Sequence, residues 1–289
     1  MCNEANNMRR ALRSLAAGAC GMLLLFGTEG CGPSAEERAA ATLVGQAEAL
    51  YDMGDYRGAI DSVKALDERY HSFTDLRRGG LRIRAMATEG LIRDSIEAIE
   101  PVLVQSKLAA DSLRKFFVHI EPAAEGLDGY YLAATIPASS AMETTTIQPR
   151  VDEDGYLYLT ANISGRSIGL DGLKIGTGNE AWTSGQISPS RVASVEGSDV
   201  ASFAPEDLEG LGAWLTAHAG AKLTGTLTGT RGMATFQISA MLREAIVRSY
   251  EFSEAWQAER KASIQREKLE RKLQAVRDQL ANMPLPSQD

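Results

Sequence analysis

Cysteine is nearly absent from this chain. Three occur in 289 residues, and none follows Cys31. No disulfide framework can therefore hold the body of the protein, and stability has to come from buried cores, for which the length suffices in one or two domains. Histidine is as scarce. His71, His119 and His218 lie far apart, with no cysteine to join them, so no metal and no cofactor is expected. Aromatic residues make up 6%, few for a carbohydrate-binding surface. Cations are outnumbered, 30 Lys and Arg against 38 Asp and Glu, and a net charge of −8 argues against nucleic acid, which needs clustered Lys and Arg. Long apolar runs are missing too, with one exception near the start.

That exception is Leu15 to Phe26, preceded by Arg9, Arg10 and Arg13 and followed by Gly30-Cys31-Gly32. A basic segment, an apolar segment and a small residue before the cut describe a secretory signal over residues 1–30. Thr28-Glu29-Gly30 interrupt the run before the roughly 20 residues of a membrane span. A cysteine directly after the cut resembles a bacterial lipoprotein signal, in which Cys31 is acylated and anchors the protein to the membrane. Cys20, after Ala17-Gly18-Ala19, is the rival cysteine. A cleaved but unlipidated signal and a single membrane anchor compete with the lipoprotein reading. Residues 31–37 read as a short tether. Its Ser34-Ala35-Glu36-Glu37 resembles an acidic surface-sorting tag, and equally suits a helix N-terminus, where the dipole favours acids.

Residues 38–121 have helical periodicity. Ala47, Leu50 and Tyr51 share a face, Gly54-Asp55 breaks the run, and Tyr56, Ala59, Ile60, Val63 and Leu66 resume it. The block Leu50 to Ile60 resembles the tetratricopeptide repeat, and Ala85, Gly90, Ser95 and Ile96 match it at an offset of 36 residues (49 to 85). Two degenerate repeats with Gly54 and Gly90 in equivalent turns are expected; an ordinary helical segment with coincidental glycines is the competing reading. A separate helix is expected from Pro101 to Ile120.

Between 126 and 238 the period changes to short β-branched or aromatic runs: 130–136, 144–151, 156–163, 167–175, 181–187, 191–203, 222–227 and 234–238. Asp154-Gly155 is a hairpin turn; the calcium loop suggested by Asp152-Glu153-Asp154-Gly155 lacks its later ligands. One helix begins at Pro205 and ends before Gly220. The segment is thus an antiparallel sandwich or partly closed barrel with one covering helix. A long terminal helix covers 239–283, with residues 284–289 as a tail. Its seam of Leu269, Leu273, Val276, Leu280 and Met283 is spaced 4, 3, 4, 3, and suits folding back onto the earlier helices in a monomer; homodimerisation is the competing use of the same seam.

The fold class is therefore α+β. No catalytic motif is present: Gly165-Arg166-Ser167-Ile168-Gly169 and Gly225 to Gly229 lie between or within strands, not ahead of helices. Trp182, in a turn-rich stretch, is the candidate surface contact for a sugar or peptide, unless the fold buries it. The whole order of parts resembles lipoproteins of Bacteroidota. The resemblance implies an envelope protein held at the outer membrane by the lipid on Cys31. The expected role is non-catalytic binding of a protein or peptide partner. Glycan binding through the β domain ranks second, and a hydrolase with dispersed carboxylates third.

Overall fold

The computed structural model describes residues 33–122, 128–138, 144–195 and 197–284. Cys31, Cys20 and the signal fall outside the described residues. Within them, no helix is long and apolar enough to cross a membrane.

Helix α1 (Ala35–Asp52) starts where Ser34 Oγ accepts the Glu37 amide at 3.0 Å, with Glu36 and Glu37 in its first turn. These acids therefore sit where a helix dipole favours them. Gly54, at φ +78°, makes the turn that a side chain would strain. Asp55 caps α2 (Tyr56–Arg69), which buries Ala59, Val63 and Leu66. This first hairpin is the one expected.

The second is not there. Helix α3 runs unbroken from Thr74 to Arg114, with both Gly90 and Pro101 inside it. Gly90 is a contact point, not a turn: a Cβ there would lie 2.5 Å from the Tyr56 ring. Pro101 removes one helical hydrogen bond without ending the helix, because Ile92, Ile96, Ile99, Leu103, Ser106, Ala110 and Leu113 keep one seam on both sides of it. The expected helix Pro101 to Ile120 is corrected accordingly, and its last residues form strand β1 (Phe117–Ile120).

The strands that follow are β2 (Tyr130–Ala133), β3 (Thr146–Asp152), β4 (Leu157–Ile163), β5 (Leu170–Gly176), β6 (Ala181–Thr183), β7 (Val192–Val195), β8 (Ser198–Phe203), β9 (Leu223–Gly229) and β10 (Gly232–Ile238). They form two antiparallel sheets, ordered β1-β2-β3-β4-β8-β7 and β10-β9-β5-β6. Neither sheet closes into a barrel. Leu159, Ile163 and Phe203 from the first and Leu173, Ile175 and Leu227 from the second share one core. Alternation places them: Ser198–Phe203, for example, buries every second residue. The expected run 191–203 is two strands, β7 and β8, turning at Gly197, φ +79°. The helix expected from Pro205 is also divided. Residues Pro205–Leu208 form a 3₁₀ turn, Gly210 breaks it at φ +74°, and α4 (Leu211–Ala217) follows.

Helix α5 (Ala240–Asn282) begins at Ser239, whose Oγ accepts the Leu242 amide. Its first part covers the six-stranded sheet: Phe252 stacks on Phe117 at 4.7 Å, and Ser253 donates to the Gly155 carbonyl at 2.7 Å. Its second part lies antiparallel to α3. Ala262 is buried there, and Leu269, Leu273, Val276, Leu280 and Met283 are half-buried. The terminal seam thus folds back within one chain.

Helix α2 runs antiparallel to α3, with Tyr56 beside Gly90 and Val63 and Leu66 beside Gly80. Helix α1 returns along α2, Tyr51 near Tyr56 and Ala47 near Val63 and Ile83. It follows that Ser34 lies near the start of α3, at the end of the helical stalk away from the sheets.

Candidate functional site

The residues favoured for chemistry are held for structure. Trp182 is buried, 8% exposed, and its Nε1 donates to the Glu209 carbonyl at 2.8 Å. As a surface contact it is corrected: alternation turns it inward from β6 while Ala181 and Thr183 face out. His119 sits between Glu121 and Glu153, at 3.2 and 3.0 Å. His218 sits between the Trp214 carbonyl at 2.8 Å and Glu180 at 3.0 Å. The carbonyl, then the carboxylate, hold its pKa above the ordinary 6.5. No group of three metal-ligating side chains occurs among the described residues.

The buried carboxylates are engaged as well. Asp207 takes a two-pronged contact from Arg191 at 2.7 and 3.2 Å, and the Ala204 amide at 2.8 Å. Asp199, fully buried, accepts the Ile168 and Gly169 amides at 2.7 and 2.8 Å and the Ser194 hydroxyl at 2.7 Å, tying β8 to the segment before β5. Burial pushes its pKa up, and the donors Ser167, Ser194, Ile168 and Gly169 outweigh that, leaving it lowered. Asp152 accepts the Tyr156 amide in the β3–β4 hairpin, where burial raises its pKa. The Asp154-Gly155 turn is confirmed, Gly155 at φ +84°.

Among the described residues, one surface open to a ligand is the outer face of the four-stranded sheet. The strand period turns Leu223, Leu227, Ala234 and Ile238 inward and Thr224, Thr226, Thr228, Met233, Thr235 and Gln237 outward. Thr226 stands between Thr235 on β10 and Lys174 on β5. Gly176 lowers the floor beside them, and an open depression of about 590 Å³ results. It is lined by three threonines, Asn179, Glu180 and Lys174 together with Ala181 and Met233, and by no aromatic ring. Hydrogen bonding is the chemistry this face offers.

A second depression, about 560 Å³, lies between Tyr156 and the outer side of α5 at Lys261, Ile264 and Lys268. Sequence reasoning identifies β9 and most of β10 as strands but not the outer face they share with β5. The Thr-Gly-Thr-Leu-Thr-Gly-Thr alternation over 224–230 is its only local sign. No family model, no curated protein and no solved structure matches this chain.

Proposed function

We propose that this chain is a lipoprotein of the bacterial cell envelope, anchored to the outer membrane through Cys31, that binds a protein or peptide partner without catalysing a reaction. The observation that carries the reading is the placement of its two ends. The tether enters α1 at Ser34, beside the start of α3, while the threonine-lined face belongs to the sheets at the other end. Across the 41 residues of α3 that separation is about 60 Å at 1.5 Å per residue. An anchored chain of this form holds a hydrogen-bonding face away from the lipid. The α1–α2 hairpin, with Gly54, Tyr56 and Ala59, keeps one tetratricopeptide-like unit and packs on α3 instead of on a second unit. The apolar seam of α5 is used within the chain, which favours a monomer.

One experiment tests anchor and face together. A photoreactive side chain is placed at Thr226 or, as control, at exposed Ala98 on α3, in native membranes, with and without Cys31→Ala. A discrete protein adduct from Thr226 alone, and release of the Cys31→Ala chain from the membrane, are expected. Absence of the adduct, or an equal one from Ala98, overturns the binding reading. Retention of the Cys31→Ala chain overturns the anchor.

A further inference from the structure

Strand β10 is a sheet edge without the features that usually block further pairing. It is seven residues long, Gly232–Ile238, with neither charge nor proline. The other edge of its sheet, β6, has three residues. The two-residue turn Thr230-Arg231 sets Gly229 opposite Gly232 as a hydrogen-bonded pair, so Met233, Thr235 and Gln237 direct their N–H and C=O away from β9. Arg166 agrees with this phase, donating to the Met233 carbonyl from outside at 2.7 Å. Among the described residues nothing pairs with the outward backbone of Thr235 or Gln237.

The charge around this edge runs against that of the whole chain. Arg166, Arg231 and Arg243 donate to neutral oxygens of Met233, Ser167 and Ala221, and Lys174 stands exposed beside Thr226. The nearby acids are Asp171, which accepts from Thr228, and Glu180, which binds His218 on the far side of the sheet from β10, so four cations stand against two carboxylates. Among the described residues, a protein of net charge −8 thus carries cations without carboxylate partners around its longest sheet edge.

We propose that β10 takes up an extended, acidic segment of a partner protein as an added strand. The inference rests on the partner-binding reading above. The backbone of the segment pairs with Thr235 and Gln237, which gives affinity, and every second side chain stands on the outer face beside Met233, Thr235 and Gln237, with Arg166 at one end. Carboxylates at those alternate positions meet Arg166 directly and lie in the field of the other cations.

The test uses the full chain and a capped, fluorescent peptide alternating glutamate and valine, against its lysine–valine counterpart. The acidic peptide is expected to bind, at least about tenfold tighter than the basic one at low salt. The backbone amide signals of Thr235 and Gln237 should shift on binding. Thr235→Pro and Gln237→Pro should each abolish it, since a proline whose N–H position faces outward removes no ladder bond; unchanged melting verifies the fold. Arg166→Gln should weaken it. Equal binding of the two peptides, binding unchanged in both proline variants, or no binding at all overturns the proposal. A dimer that Thr235→Pro dissolves also overturns it, assigning the edge to a second copy. A Thr226 adduct in membranes without peptide binding here removes strand addition alone and leaves partner binding standing.

Discussion

Arg277 Nε donates to Glu89 Oε1 at 3.1 Å, between residues 188 positions apart. Arg266 meets Glu100 at 3.3 Å. From 89 to 100 and from 266 to 277 is eleven residues on each helix, in opposite directions, so the two contacts fix one antiparallel register between α3 and α5. Glu89 is the better buried partner, 17% exposed, and its hydrogen bond from Arg277 holds its pKa below the ordinary 4.5 despite burial.

A double-mutant cycle over Glu89→Gln and Arg277→Gln should give a coupling of about 0.5–1 kcal/mol in thermal melts, since Arg277 is half-exposed and solvent screens the pair. The depressed pKa sets the sign of the pH dependence. The contribution is complete above the unfolded value near 4.5 and is lost as pH falls through the folded value. No coupling at neutral pH would show that the contact does not hold the register.

Truncation after Ser263 should lower the melting temperature clearly and leave a monomer. It removes Leu269, Leu273, Val276 and Leu280, each half-buried on α3 and contributing roughly 1 kcal/mol. Sedimentation of both forms is the check. A dimer that becomes a monomer, with no change in melting, would make the seam an oligomerisation device.

Gly90→Ala and Gly45→Ala should act in opposite directions. Gly45, exposed within α1 with open space where a Cβ would stand, should gain about 0.5–1 kcal/mol from helix propensity. At Gly90 the same gain meets the Tyr56 ring, and a net loss of about 1–2 kcal/mol is expected from overpacking. Urea melts of the two variants decide it; stabilisation by Gly90→Ala would mean that Tyr56 moves aside freely.

Asp199→Ala should cost about 3 kcal/mol, because it leaves the Ile168 and Gly169 amides buried without their charged acceptor. With the Asp199 pKa lowered, its stabilisation is present above about pH 4 and lost as the solution is acidified through the folded value. The gap between wild type and variant in denaturant titrations should therefore narrow in acid. A gap independent of pH would assign the effect to lost packing.

The α+β class, the Ser239 helix start, the Gly54 turn and the Asp154-Gly155 hairpin are legible because neighbouring residues dictate them. Gly90 and Pro101 mislead because glycine and proline mark breaks only where nothing else spans the site. Here Tyr56 needs the missing Cβ, and the seam against α5 continues past the proline. Phe117–Ile120 extends the preceding apolar helical pattern and becomes a strand by pairing with Tyr130–Ala133. Trp182 is ambiguous because its partner, the Glu209 carbonyl, is 27 residues away. The open edge at β10 depends on strand order, which alternation along one strand does not encode.

Helix α5 passes from the six-stranded sheet to α3 without interruption, while α3 leads into β1 with only Lys115 and Phe116 between. Two connections of this kind at one junction resist torsion as a single shaft would not. Rotation of the sheets about the stalk would need α5 to break or Phe252 to slip from Phe117. A pull applied at β10 is therefore transmitted as tension along α5 into the packed helices α1, α2 and α3.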